Sequence, residues 1–271
     1  MAESVQFQHV SGMPGLVLST AHLTGFSFDR HFHLDLHIGL MADGAQHQRF
    51  GSKSELHVPG SIALMPAGEI HDGVSLDGGA CTLKTFRLSQ ALVGSLAREI
   101  SGRDREPELS GALLEDPLLA GQLLHLHDIM ERGNGPGTLG VQTEWLTLLE
   151  RLLSRSCAVV PEAVPGALSR IQWERVRDYC CTHLDKKITL DELAGLCALG
   201  RFQFIKQFRR AIGMTPHAWL LRLRLERACA LLSQSSQAIA AVAQEVGFYD
   251  QSHFNRAFRQ AYGVAPSRFR S

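Results

Sequence analysis

Two patterns of apolar positions divide the chain. Residues 1–88 carry short apolar runs without long helical periodicity: strand-like pieces at 16–19, 36–41, 61–65 and 82–87 alternate with turn signals at Asp43-Gly44, Pro59-Gly60, Ala67-Gly68 and Asp77-Gly78-Gly79. This pattern predicts a small all-β barrel. From residue 89 the spacing changes to that of helices. A short helix is expected at 90–100 and a charged, Gly- and Pro-bearing loop at 101–110. Two longer apolar helices follow, at 113–131 (Leu114, Leu118, Leu119, Leu123, Leu124, Leu126, Met130) and 137–156 (Leu139, Val141, Trp145, Leu146, Leu148, Leu149, Leu152, Leu153), with GNGPG at 133–137 as the turn between them. Such a pair forms a helical hairpin, one face against the barrel and the rest available to the barrel or to a second copy.

The stretch VVPEAVPG (159–166), with two prolines and no periodicity, is an interdomain linker. We place the domains at 1–160 and 169–271 with 161–168 between them. Ser169 then caps a helix carrying Ile171, Val176, Tyr179, Cys180 and Leu184.

The second part of the chain contains a repeat. RFQFIKQFRRAIGMTP (201–216) is written again as QSHFNRAFRQAYGVAP (251–266), so that Phe204 answers to Phe254, Phe208 to Phe258, Arg209 to Arg259, Ala211 to Ala261, Gly213 to Gly263 and Pro216 to Pro266. Aromatics at i and i+4 share one helix face and leave Lys206, Arg209, Arg210, Arg256 and Arg259 for the others. Each copy is an amphipathic basic helix, closed by a Gly suited to a left-handed exit and followed by a Pro. A short apolar helix precedes each copy, at 188–198 and 238–246. The connections are short enough for a helix-turn-helix, whose second helix enters a DNA major groove. Between the units, 216–233 reads as one long helix of roughly 27 Å. That is comparable with the roughly 34 Å between successive major grooves on one side of B-DNA.

Charge supports the division. The formal net charge is +0, but residues 1–165 hold 11 Lys+Arg against 19 Asp+Glu, a net of −8, and the remainder 16 against 8, a net of +8. A basic half suits a polyanion, because Lys and Arg that replace condensed counterions supply most non-specific DNA affinity. No long apolar run or charged-then-apolar leader is present, which predicts neither a membrane span nor a signal peptide. Cys81, Cys157, Cys180, Cys181, Cys197 and Cys229 form no CxxC pair and read as core residues of a protein in the reducing cytoplasm.

On these residues the stretch 169–270 resembles the DNA-binding domain of AraC-type (AraC/XylS) transcription regulators, through GFYDQSHFNRAFRQAYGVAPSRFR (247–270) and the linker-helix phrase RLRLERACALL (222–232). The first unit departs from it, with Leu199-Gly200-Arg201 where the family more often has a capping Ser; Gly is an acceptable N-cap. The N-terminal part resembles cupin barrels in two phrases. The first is Gly25, five residues, His31-x-His33, three residues, His37, six residues, Gly44. The second is Gly60, five residues, Pro66-x-Gly68, two residues, His71. His37 stands where a metal cupin commonly has Glu, and Ser75 where the second motif often ends in Asn.

The expected fold class is therefore α+β: an N-terminal cupin-type β-barrel plus helical hairpin, then an all-α domain with two helix-turn-helix units joined by a long helix. The resemblance implies His31, His33 and His71 as ligands of a divalent metal (Zn, Ni, Fe or Mn), with His37 as a fourth; strand alternation would point His31 and His33 to one side. The other reading makes these histidines the lining of a pocket for an organic effector. Base-edge candidates are Phe202, Gln203, Ile205 and Lys206 in the first unit and Gln251, Ser252, Asn255 and Arg256 in the second, and phosphate candidates are Arg209, Arg210 and Arg259. The expected partners are double-stranded DNA, a small-molecule effector, a second copy of the chain and RNA polymerase, with no membrane. The resemblance implies a regulator and no enzyme. A metal-sensing regulator, a metal-dependent cupin enzyme and a DNA-alkylation repair protein are the other classes. The last would need an activated Cys, and Cys81 and Cys157 have no basic or metal-ligand setting in the sequence.

Overall fold

A computed structural model describes residues 4–51, 53–101, 109–133, 139–155 and 166–270. The chain divides into two compact units, Met1–Val160 and Pro161–Arg270.

The first unit begins with nine strands: β1 (Ser4–His9), β2 (Leu16–Thr24), β3 (Ser27–His31), β4 (Leu36–Asp43), β5 (Gln46–Phe50), β6 (Lys53–His57), β7 (Ser61–Met65), β8 (His71–Ser75) and β9 (Ala80–Leu88). Helix α1 (Gln90–Ser101), strand β10 (Ala112–Glu115) and helices α2 (Pro117–Glu131) and α3 (Leu139–Arg155) complete it. The strands form a six-stranded sheet, β1-β2-β9-β4-β7-β10, and a four-stranded sheet, β3-β8-β5-β6, antiparallel throughout.

Alternation along the strands gives the large sheet two different faces. Ile38, Leu40, Ile62, Leu64, Phe86 and Leu88 bury one against Leu119, Leu123, Leu126, Trp145 and Leu149 of α2 and α3, with the Phe86 and Trp145 rings 5.0 Å apart. On the other face, Ala63 and Met65 cluster with Phe50 of the small sheet. The two sheets thus enclose an interior lined by His33, His37, Gln46, Gln48 and His71, all buried. Gly44 makes the tight β4–β5 turn at φ +79, where an added Cβ would lie 2.2 Å from the Ala80 carbonyl oxygen.

Strand β5 buries Gln46 and Gln48, β6 buries His57, and β8 buries His71, Asp72 and Ser75, so these strands lack the apolar runs that reveal the others. One expectation needs correction. The helix expected at 113–131 begins only at Pro117, and Leu113 and Leu114 belong to β10, paired with Ala63 and Ile62. Two adjacent leucines fit either period; Asp116 and Pro117 decide the boundary. The Asp116 carboxylate accepts from the Leu119 N–H at 3.0 Å, and Pro117 occupies a first-turn position where no N–H is needed. The GNGPG turn, most of the loop expected at 101–110 and most of the linker lie outside the described residues.

In the second unit α4 (Arg170–Thr182) starts at a capping box made by Ser169 and Gln172, and α5 (Leu190–Leu196) at one made by Thr189 and Glu192. Then follow α6 (Arg201–Ile212), α7 (Pro216–Gln234), α8 (Ile239–Glu245), α9 (Gln251–Tyr262) and α10 (Pro266–Arg270). Two positions differ from expectation on α4: Ile171 is 63% exposed, and Leu184 lies past the helix end. Gly200 caps α6 with no side-chain bond, while the Asp250 carboxylate caps α9 by accepting from the His253 N–H at 2.7 Å. Both helices exit through left-handed glycines, Gly213 (φ 77) and Gly263 (φ 74). Phe204, Phe208, Phe254 and Phe258 are all 0% exposed, so the repeated aromatics form the seam on which each basic helix rests. Cys81, Cys180, Cys197 and Cys229 are buried; Cys181 is exposed, contrary to its reading as core, and Cys157 lies outside the described residues.

Candidate nucleic-acid interface

Helices α6 and α9 present their polar faces to solvent because their aromatic faces are consumed by the core. On α6 Gln203, Lys206, Arg209 and Arg210 are exposed and Ile205 is half-buried; the Phe202 side chain lies outside the described residues. Ile205, Lys206, Arg209 and Arg210 together line an open surface groove. On α9 Gln251, Ser252, Arg256 and Arg259 are exposed, and a second groove is lined by Ser252, Asn255, Arg256, Arg259 and Gln260. The two surfaces repeat the sequence duplication in space: in each, polar groups of the first turns lie beside arginines of the later turns. Asn255 differs from its neighbours, since it is half-buried and its Oδ1 is buried without a hydrogen-bond partner. That oxygen faces the protein, and in this arrangement Asn255 does not offer both amide atoms to a base.

Two exposed residues outside the candidate set stand next to these helices. Arg201, at the first position of α6, forms a bidentate ion pair with Asp191 of α5, and both side chains are 61% exposed. Tyr249, in the turn before α9, is 94% exposed. Their signal was position: Arg201 opens α6, and Tyr249 lies in the connection between α8 and α9.

Not every arginine of the unit faces outward. Arg222 is paired with Glu226 at 2.9 Å in the core, its side chain 8% exposed. Arg224 donates to the carbonyls of Leu184 (3.2 Å) and Lys186 (2.8 Å), tying the α4–α5 connection to α7. Gly247, at φ +84, packs against that same point, where an added Cβ would lie 2.2 Å from the Leu184 carbonyl oxygen.

In the first unit the structure brings three of the four candidate histidines together. The ligand nitrogens of His31, His33 and His71 lie within 4.8 Å of one another. His37 is outside that group and stacks on His33, with ring centroids 3.6 Å apart and planes 19° apart. Strand alternation is not what aligns His31 with His33, because β3 ends at His31 and His33 lies in the turn to β4. His31 is instead the cross-strand partner of His71. Deeper between the sheets, the Gln46 amide donates to Gln48 Oε1 (2.7 Å) and faces His57 Nδ1 (3.3 Å). Burial pushes the His57 imidazole down to about 4. A second group with metal-like composition, His127, Asp128 and Glu131, is an ion-pair network instead: Lys84 donates to Asp128 and to Glu131, both at 2.7 Å.

Residues 193–271 match the family model of a helix-turn-helix domain, and residues 13–149, more than half of the chain, match that of an AraC-like ligand binding domain. The chain belongs to the AraC family of transcription regulators. AraC-family relatives include the arabinose operon regulatory protein of Salmonella typhimurium, 33% identical over 147 residues, an alignment that covers 53% of this chain and 50% of that protein. The MmsAB operon regulatory protein of Pseudomonas aeruginosa is 33% identical over 126 residues, 46% of this chain and 41% of that one. The chain spans about half, or less, of the length of the first curated relatives it matches. Among solved structures, ToxT from Vibrio cholerae with an unsaturated fatty acid bound aligns over 97% of this chain and 96% of its own with a TM-score of 0.61 at 14% identity, a likeness of fold. Among the described residues no helix is long and apolar enough to cross a membrane.

Proposed function

We propose that this chain is a sequence-specific regulator of transcription that reads double-stranded DNA through α6 and α9. The observation that carries the reading is the duplicated pair of helices, each with its aromatic face buried and a polar, arginine-bearing face open to solvent. Lys206 and Arg256, with Gln203, Gln251 and Ser252, are the base-edge candidates best supported by exposure; Arg209, Arg210 and Arg259 take phosphates. Ile205 and Phe202 remain candidates for thymine methyl groups. Arg201 joins the set. Helix α7, at 19 residues, is about 28 Å long, which suits readers placed in successive major grooves.

The N-terminal unit is proposed as a cupin-type barrel that holds a small effector, as ToxT holds a fatty acid, and the hairpin α2–α3 as the surface that pairs two copies. An effector that binds one arrangement of the dimer better than another shifts which pairs of DNA sites the readers reach together. The setting is the cytoplasm, and RNA polymerase is the further partner.

Footprinting of the full chain on a fragment selected from genomic DNA tests the reading. Protection of two major-groove segments about 10 base pairs apart supports it. A single protected segment, unaltered by Arg256→Ala, contradicts the tandem reader.

A further inference from the structure

We propose that Tyr249 donates its hydroxyl to a duplex phosphate at the edge of the groove that α9 enters, a contact for which the first helix-turn-helix unit has no counterpart. The proposal rests on the reading of α6 and α9 as DNA readers and adds to it a residue that lies outside the repeat.

The connections of the two units run in step except at one position. Residues 197–200 join α5 to α6 and residues 246–250 join α8 to α9, four residues against five. Each connection turns through a left-handed residue, Ala198 (φ 53) in the first and Gly247 (φ 84) in the second. The next N–H then returns to the preceding helix: Leu199 donates to the Ala194 carbonyl at 3.0 Å and Phe248 to that of Ala243 at 2.9 Å. The N-caps Gly200 and Asp250 stand at the same place before their helices. Tyr249 is the residue left over.

Both of its neighbours are tied to the fold. Phe248 is buried, with its ring 5.1 Å from that of Phe254 and 5.2 Å from that of His253. Asp250 is held as the cap, its carboxylate accepting from the His253 N–H at 2.7 Å. The chain is therefore pinned on either side of Tyr249, while the tyrosine itself is 94% exposed at the N-terminal end of α9. A side chain so placed adds almost nothing to the core, so packing does not account for it.

A duplex does. A recognition helix enters the major groove by its N-terminal residues, and a groove about 12 Å wide is little wider than a helix of about 10–12 Å with its side chains. The residue that precedes the helix is then brought beside a phosphate strand, while Gln251 and Ser252 in the first turn face base edges. Tyrosine hydroxyls are among the donors that fix register through phosphates.

The test is anisotropy of full-length Tyr249→Phe and Tyr249→Ala on the preferred genomic fragment and on random duplex, at several salt concentrations. Loss of one hydrogen bond predicts an affinity about 2–10-fold lower for Tyr249→Phe on both duplexes, and a loss at least as great for Tyr249→Ala. The slope of log K against log salt should keep its parent value, because a neutral phenol displaces no counterion; this separates the contact from those of the arginines. Thermal melting of both variants should match the parent. A loss confined to Tyr249→Ala would overturn the proposed hydroxyl contact. Unchanged affinity in both variants, with a parent that still selects a fragment, would overturn the proposal and leave the reading of α6 and α9 standing. The same holds if only transcription by RNA polymerase suffers, which would give Tyr249 to a protein partner. A parent that prefers no fragment would overturn the proposal and the reading together.

Discussion

Tyr262, the last residue of α9, donates its hydroxyl to the Glu226 carboxylate of α7 at 2.7 Å. The same carboxylate is paired with Arg222, whose guanidinium carbon lies 4.8 Å from the centre of the Tyr262 ring. These three side chains fix the end of the second reading helix on the long helix. Glu226→Ala strips a buried arginine of its partner and should cost about 3–5 kcal/mol. Tyr262→Phe leaves the ion pair intact and should cost about 1 kcal/mol. Urea unfolding followed by tryptophan fluorescence checks the order; a Tyr262→Phe variant as unstable as Glu226→Ala would remove the ion pair from the account.

Exposure separates positioning from reading among the basic residues. Arg259→Ala, at a phosphate candidate, should weaken binding to all duplexes alike and reduce the slope of log K against log salt by about 1. Arg256→Ala should cost about 1–3 kcal/mol on the preferred site and relax the base preference at one position. Anisotropy titrations at several salt concentrations distinguish the two; equal losses on preferred and random duplexes for both variants would contradict the assignment.

The N-terminal unit should lose stability in acid. Burial holds the His57 imidazole at about 4, with a partial offset from the Ser61 backbone; in the unfolded chain it titrates near its ordinary value of about 6.5. Between those values the unfolded chain binds a proton that the folded chain refuses. Stability is therefore full above about pH 6.5, declines as pH falls, and levels off below about pH 4, a loss of up to about 3 kcal/mol. His127 is driven the same way, first by burial and then by the charge of Lys84, to about 4. Denaturant midpoints at pH 7 and pH 5 test this in the parent and in His57→Asn; a variant with an undiminished pH dependence would exclude His57 as a source.

Gly247→Ala should destabilise the second unit by more than the roughly 1 kcal/mol that αL backbone strain alone imposes. The added methyl would also meet the Leu184 carbonyl oxygen at 2.2 Å and the Arg224 guanidinium at 2.8 Å. Gly213→Ala sits at a helix exit with the same backbone sign and bears the strain term. A Gly213→Ala variant that melts at a lower temperature than Gly247→Ala would contradict the steric reading.

The second unit was legible because its information is local. Aromatics at i and i+4, capping pairs such as Thr189 with Glu192, and the Gly-then-Pro exits state each helix within a few residues, and the repeat states them twice. The first unit was legible only where burial on both strand faces leaves an apolar run, as at Ser61–Met65. Strand β5, QHQRF, buries Gln46 and Gln48 between the sheets, and a polar residue at an inward position erases the signal. Leu113 and Leu114 suited two periods, and pairing with β7 decided between them. The histidine cluster was visible as a spacing, but the spacing did not show that His37 stacks on His33 or that His31 meets His71 across two strands.

Whether α6 and α9 read DNA sequence is decided by anisotropy of the full chain on labelled genomic fragments, with unlabelled random duplex as competitor and the salt concentration varied. The expected result is a fragment bound at least about 1000-fold more tightly than random duplex at physiological salt, with affinity falling as salt rises. Equal affinity for every fragment and random duplex, at all salt concentrations, would contradict it.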